Sequence, residues 1–374
     1  MPPLARRNLF HDKIRLTVTL TGIVFAVVLI VVELGLFVGF TQTTSNLIDH
    51  SGADLWVTSR HVPYVELGVP FSERKLYQVR AVPGVAAAEK IIVRWTDWKR
   101  PDGRQESVQI VGLNPDVDLA RPWNLVQGDV EDLKKPDAVI LDDIYKDKLG
   151  VSGAGELFEI RGHRARVVGF THGIRSFTTS PYVFTTFKRA QDYATIAGDQ
   201  TVFILVKTSP GADVGQVRQG ILDHVKDVEV FAGAEFSRMT QFYWMFTTGA
   251  GVAVLLAAVL GLVVGFVVVA QTIYATTMDH LKEYGTLKAM GAANSYVYRV
   301  IIKQAAMSAV MGYVLGMLVS ALVVHASQEG GAAILLPWPM AVGMFFLTMA
   351  MCIGAALVSI TKITQLDPAM VFKG

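Results

Sequence analysis

The chain has 374 residues, 52% of them hydrophobic and 18% charged, with a mean hydropathy of +0.40 and a net charge of +2. Soluble domains carry about 25% charged residues, so an ordinary soluble protein is excluded. The near balance of 34 basic and 32 acidic residues excludes a polycationic nucleic-acid binder, and a single cysteine, Cys352, excludes a disulfide framework.

Residues 1–15 form a short segment with Arg6, Arg7, Lys13 and Arg15. The apolar run 16–40 follows. It exceeds the roughly 7–15 residues of a signal-peptide core and no A-x-A site follows it, so it reads as an uncleaved first transmembrane helix. Glu33 sits toward its outer end. A carboxylate in hydrocarbon is a functional suspect by default, and Glu33 is the candidate for substrate or intramembrane contact. The plainer reading places it at headgroup level.

Residues 41–240 have mixed composition and are long enough for a domain with its own core. ADLWVTS (53–59) reads as a strand and SERKLYQVRAV (72–82) as a helix stopped by Pro83-Gly84. AAEKIIVRWTDW (87–98) and ESVQIVGL (106–113) read as a hairpin around Pro101-Asp102-Gly103. Strand–helix–strand order recurs in 201–208, 212–225 and 228–232. The expectation is a split α/β subdomain, 50–113 and 201–235, with a β-rich subdomain inserted at 114–200. The basic clusters Arg94/Lys99/Arg100 and Arg161/Arg164/Arg166 share residues 41–240 with 26 acidic residues, so they read as solvated faces or a protein-docking edge.

Three further apolar runs follow: 243–272, 300–325 and 338–361. The second run extends to about residue 274, near 48 Å of helix at about 1.5 Å per residue against a hydrocarbon core of about 30 Å. A long stalk helix is expected, with Phe242, Tyr243, Trp244 and Phe246 as an interfacial belt. Residues 273–299 form a charged loop, 326–337 a loop with no Lys or Arg, and 362–374 a tail. Of the 34 basic residues, 24 lie in 41–240 and the other ten sit beside membrane ends. The positive-inside rule puts both termini and the 273–299 loop in the cytoplasm and the large domain outside. The expected fold class is therefore an α+β integral membrane protein, with four transmembrane helices and a large extracytoplasmic α/β plus β-rich domain between the first and second.

G-x-x-x-G recurs at Gly35/Gly39, Gly261/Gly265 and Gly312/Gly316. Small residues four apart let helices approach closely, within the chain or across a dimer. No H-E-x-x-H, C-x-x-C, G-x-S-x-G or phosphate-loop motif occurs, so no catalytic and no metal-binding residue is assigned, and no cofactor is expected in this chain. In the 273–299 loop, Asp279 is placed to cap a helix with Leu281, Tyr284, Leu287 and Met290 at helical spacing. Two readings stand: an amphipathic helix on the inner leaflet, or a helix that docks into a soluble motor.

MDHLKEYGTLKAMGAANSYVYRVIIKQA resembles the segment after the second span in the FtsX/MacB-like permeases of ABC transporters (the type VII superfamily), and within them the DevC subgroup. LARRNLFHDKIRLTVTLTGIVFA, ADLWVTS, FSERKLYQVRAVPGV, WKRPDGR and DPAMVFKG fit as well. The resemblance implies a non-catalytic subunit, two permease copies, and a separately encoded cytoplasmic ATPase dimer that binds ATP and Mg. It assigns an ATPase-coupling helix to Asp279, Lys282, Glu283, Tyr284, Gly285, Leu287 and Lys288. It further implies export of a lipid, glycolipid or other amphiphile by mechanotransmission from a bacterial inner membrane. A periplasmic adaptor (a membrane-fusion protein) and a TolC-like outer-membrane channel would be partners, along with membrane lipids and no nucleic acid. Competing expectations are an FtsX-like signalling transmitter without transport, LolC-like lipoprotein extraction, and haem export.

Overall fold

The computed structural model describes residues 13–280, 283, 285–286, 290, 292–328, 330 and 333–364, the last five without side chains. It divides into two compact units. The first holds residues 1–38, 253–327 and 334–374, and the second holds 39–252 and 328–333.

The first unit is built on four long apolar helices: α1 (Lys13–Thr44), α8 (Ala250–Asp279), α9 (Asn294–Ser327) and α10 (Trp338–Thr364). Each is long and apolar enough to cross a membrane. At about 1.5 Å per residue each outruns a hydrocarbon core of about 30 Å. α1 is the most enclosed. Ile23, Ala26, Val27, Ile30 and Val31 on it are buried, in one cluster with Val269, Ile273, Ile301, Ala305, Ala309 and Cys352.

Two expected boundaries are corrected. The second span does not run unbroken from residue 243. A π-helical turn, Tyr243–Thr247, precedes a break at Thr248 and Gly249, where Gly249 takes φ +76°, and α8 starts only at Ala250. A left-handed residue cannot continue a right-handed helix. The excess length lies at the far end, where α8 continues through Asp279. Asp279 is the last residue of α8, and Leu281 and Lys282, where the helix expected after it would begin, lie outside the described residues. The third span is also longer than 300–325, starting at Asn294.

The second unit is organised by one ten-stranded sheet. Part of it is β1 (Leu55–Thr58), α3 (Lys75–Arg80) and β3 (Val85–Lys99), followed far along the chain by β11 (Phe203–Thr208), α6 (Val214–His224) and β12 (Glu229–Ala232). The strand order β12-β1-β11-β3 is antiparallel throughout, the arrangement of a split β-α-β-β-α-β motif. Local signals explain its helices. Asp213 accepts from the Gly215 and Gln216 amides and starts α6. Leu76, Val79, Val217 and Ile221 then bury against Leu55, Val57, Ile204 and Val206.

The remaining strands are β4 (Gln105–Leu113), β5 (Leu125–Gln127), β6 (Ala138–Asp142), β7 (Leu157–Ile160), β8 (His163–Thr171) and β9 (Tyr182–Thr186), while β2 (Phe71–Ser72) and β10 (Gln200–Thr201) pair separately. The expected subdomain boundary at 113/114 is not a boundary of the sheet. β3 has 15 residues; its first half pairs with β11 and its second half with β4. β4, assigned from sequence to the α/β half, pairs in parallel with β9 of the inserted stretch. Trp98, Phe184, Phe203 and Phe236 fill one continuous core beneath both halves.

Candidate functional site

Three places hold the residues singled out from sequence or chemistry. The first is the end of α8. The Asp279 carboxylate lies 3.7 Å from the Arg15 guanidinium of α1. One turn earlier the Thr19 and Thr276 hydroxyls are 2.9 Å apart. His280, nearly buried, places Nδ1 3.1 Å from the exposed Glu283 carboxylate. Between these groups lies a cavity of about 30 Å³, lined by Arg15, Thr19, Thr276, Thr277, His280, Gln304 and Ser308 among others. That is room for one water with several polar partners. Gly285 is helical, and Lys282, Tyr284, Leu287 and Lys288 lie outside the described residues. The arrangement clamps α8 to α1 beside the charged segment. Among the described residues no group of three His, Cys, Asp or Glu is placed to hold a metal.

The second place is within the helices. A methyl group on Gly261 would come within 3.0 Å of Glu33 Cγ, so the Glu33 stem packs against α8. Gly265 faces Ile30, Gly312 faces Ile23 and Gly316 faces Val27, all on α1. Gly35 meets Ile334 and Leu335, and Gly39 meets the Ala333 backbone. All six G-x-x-x-G glycines thus face residues of this same chain.

The third place was not marked in the sequence. Residues 172–180 form a loop anchored on Asp142, a buried carboxylate that accepts from the Ile174 amide (2.6 Å), the Thr171 hydroxyl (2.9 Å) and the Gly173 amide (3.1 Å). Burial raises its pKa, and these hydrogen bonds oppose the rise. Ser176 closes the loop, donating to the Ser180 carbonyl and accepting from the Ser180 amide.

From that anchor the loop reaches three segments that flank membrane helices. The Asn46 amide, just past α1, donates to the Arg175 carbonyl at 3.0 Å. Arg175 donates to the carbonyls of Gln328 and, at 3.1 Å, Gly330, between α9 and α10. Phe177 packs on Phe40 of α1 (5.6 Å between centroids) and on Trp244 (4.3 Å) ahead of α8. Beside it Tyr64 stacks on Tyr243 at 4.2 Å. The Trp244 indole donates to Glu66 Oε2 at 3.4 Å, and Glu66 Oε1 is buried without a partner. Burial pushes the Glu66 pKa up to about 7. The available sequence signals were the turn-rich HGIRSFTTSP run, with its lone Arg175, and the Tyr-Trp pair at 243–244. Neither says that distant segments meet there.

The MacB-like periplasmic core domain family matches residues 16–223, and the FtsX-like permease C-terminal family matches residues 255–368. An uncharacterized ABC transporter permease of Mycobacterium tuberculosis (strain ATCC 25618 / H37Rv) is 24% identical over 379 residues, covering 99% of each chain. Another, of Mycobacterium bovis (strain ATCC BAA-935 / AF2122/97), is 25% identical over 378 residues with the same coverage. Among solved structures, the periplasmic region of MacB from Actinobacillus actinomycetemcomitans aligns at 12% identity and TM-score 0.39, over 51% of this chain and 94% of that one. The extracellular domain of the noncanonic ABC-type transporter YknZ from Gram-positive bacteria aligns at 14% and 0.34, over 47% and 98%.

Proposed function

The chain belongs to the FtsX/MacB-like family of ABC transporter permeases, and from that premise we propose that it relays the motion of a separate ATPase to its large extramembrane domain, driving export of an amphiphile. The observation that supports a relay is the 172–180 loop. One buried carboxylate, Asp142, fixes a loop that holds the segments flanking α1, α8 and the α9–α10 connection. A packed core shifts between discrete arrangements more readily than it deforms continuously, so displacement of any of these segments is passed to the sheet through β6 and β8.

In this reading both termini and the 273–299 segment face the cytoplasm of a bacterial inner membrane, as the basic residues beside the membrane ends favour. Two permease copies sit on an ATPase dimer that binds ATP and Mg. Asp279, Lys282, Glu283, Tyr284, Gly285, Leu287 and Lys288 meet the ATPase, and the Asp279–Arg15 contact carries their displacement into α1 as well as α8. A periplasmic adaptor and a TolC-like channel, as in the DevC subgroup, complete the outward route. Apolar helix faces with Glu33 beside Gly261 suit a lipid-like substrate better than a soluble one.

The test is Glu283→Lys in the full chain, co-expressed with the neighbouring ATPase. The variant is expected to fold and reach the membrane but to lose ATPase co-purification and stimulation. Undiminished stimulation would refute the coupling assignment.

A further inference from the structure

Glu66 is a buried carboxyl whose two oxygens are unequally served. Oε2 accepts a long hydrogen bond, 3.4 Å, from the Trp244 indole, and Oε1 is enclosed without a partner. The titratable groups around it are Tyr64 on its own loop, Tyr182 on β9, and Tyr243 stacked on Tyr64. The cations of the neighbouring elements are engaged elsewhere. Arg94 of β3 donates to the Gly68 carbonyl at 2.7 Å, and Arg175 of the 172–180 loop donates to Gln328 and Gly330. Among the described residues no ion pair reaches Glu66. A carboxyl so placed is tolerated when neutral and costly as an anion, because no charge and few donors replace its water.

The Glu66–Trp244 contact closes a seam between segments 178 residues apart, both inside the second unit. Trp244 also packs on Tyr64 at 5.2 Å between centroids and on Phe177 at 4.3 Å. The two sides of the seam differ in stiffness. On the Glu66 side, Arg94 holds the Gly68 carbonyl, and a methyl group on Gly68 would come within 2.1 Å of Val202. That loop has no room to shift. On the other side, Trp244 lies in the π-helical turn Tyr243–Thr247, which ends at Gly249 with φ +76°. A π turn has poorer hydrogen-bond geometry than an α-helix, and a left-handed glycine interrupts the helix. A charge on Glu66 is therefore relieved by displacement of the Trp244 turn.

We propose that Glu66 is a proton-binding site that latches the Tyr243–Thr247 turn onto the 64–69 loop, closed when the carboxyl is protonated and open when it is ionised. In the closed state the neutral carboxyl sits among the rings of Tyr64 and Trp244. Once ionised it needs water, which enters as the Trp244 ring parts from the loop. Burial pushes the closed-state pKa up to about 7, and a hydrated carboxyl in the open state returns to the ordinary 4.5. The proton therefore binds the closed state more tightly, and rising pH favours opening. From pH 5.5 to pH 8 that difference makes opening roughly thirtyfold more favourable. The latch goes beyond the relay reading and does not depend on it, since neither ATPase nor substrate takes part.

The experiment uses the full chain in detergent micelles. Cys352, the only cysteine, is first replaced by serine. Leu67, exposed and adjacent to Glu66, is replaced by a cysteine that carries bimane, a fluorophore that an indole quenches only near contact. The same labelled chain with Trp244→Phe gives the unquenched level at each pH. At pH 5.5 the label is expected to be dim against that reference. As the pH is raised to 8 its emission climbs toward the reference, with a midpoint near pH 7, whereas the labelled chain with Glu66→Gln stays dim throughout. Three results would overturn the proposal: a label as bright as the reference at pH 5.5, an emission that does not change with pH, or an equal climb with Glu66→Gln.

Discussion

Glu66→Gln removes one ionisation and keeps the shape of the side chain. The carboxyl is 4% exposed, and burial raises its pKa from an ordinary 4.5 to about 7, against the opposing pull of its own backbone amide and the Trp244 indole. Below pH 4.5 native and unfolded chains both hold the proton, and linkage contributes nothing. Between 4.5 and 7 the unfolded chain ionises while the native one does not, so stability falls as pH rises. Above 7 both are ionised and the deficit is constant. At 1.36 kcal/mol per pKa unit the full deficit is about 3 kcal/mol. For a domain of about 200 residues that corresponds to roughly 6–12 °C in melting temperature. The assay is a thermal scan of full-length wild type and variant in detergent, followed by tryptophan fluorescence from pH 4.5 to 8. The variant is expected to gain on wild type as pH rises, with the gap widening through pH 5–7 and flat above it. A gap that stays constant across the series would refute the reasoning, because a group that does not titrate there cannot be buried in this way.

Two further outcomes follow from the packing. Gly312→Ala adds a methyl group within 2.4 Å of Ile23 Cγ2, whereas Gly343 has nothing within 4 Å. Overpacking predicts a loss of about 2 kcal/mol for Gly312→Ala and no loss for Gly343→Ala, read by denaturation in mixed micelles. Arg175→Ala removes two donors from the carbonyls of Gln328 and Gly330. Two charged hydrogen bonds of about 1.5 kcal/mol each imply roughly hundredfold faster amide exchange in the peptide spanning 326–336, with ATPase co-purification unchanged.

How much of this was readable in the chain depends on the range of the interaction concerned. The four spans follow from composition alone, and the β3–β4 turn follows from Pro101-Asp102-Gly103, where Gly103 takes φ +84°. The helix expected over 72–82 is shorter, Lys75–Arg80, because Phe71 and Ser72 are taken by strand pairing with Gln200 and Thr201. That pairing is long-range and leaves no local trace. The same holds for β4, whose neighbour β9 lies some 70 residues on. The break at Thr248-Gly249 was hidden because glycine is common in membrane helices, so its left-handed role there could not be told from a packing role. The junction around Asp142, Arg175 and Phe177 was illegible for a similar reason. Each residue is ordinary in its own segment, and only the fold makes them neighbours.

The glycine contacts carry one more consequence for the proposed relay. Gly261, Gly265, Gly312 and Gly316 receive Glu33, Ile30, Ile23 and Val27, four residues spaced along α1. Each glycine is a socket for one side chain, and close packing makes a socket intolerant of even a methylene-sized shift. Sliding α1 past α8 or α9 would therefore break several contacts at once, whereas moving the three helices together breaks none. In the proposed relay, displacement at the Asp279–Arg15 end would thus travel through this part of the bundle as a rigid-body motion. The first place where α8's line is released from regular helix is the Thr248-Gly249 break, and the residues just before it, Tyr243 and Trp244, are those bound to Tyr64, Glu66 and Phe177. A relay built this way has its compliance at the aromatic junction and its stiffness in the membrane, so the coupling-defective variants without loss of fold are expected at Arg175 and Glu66, and the fold-defective ones at the glycines.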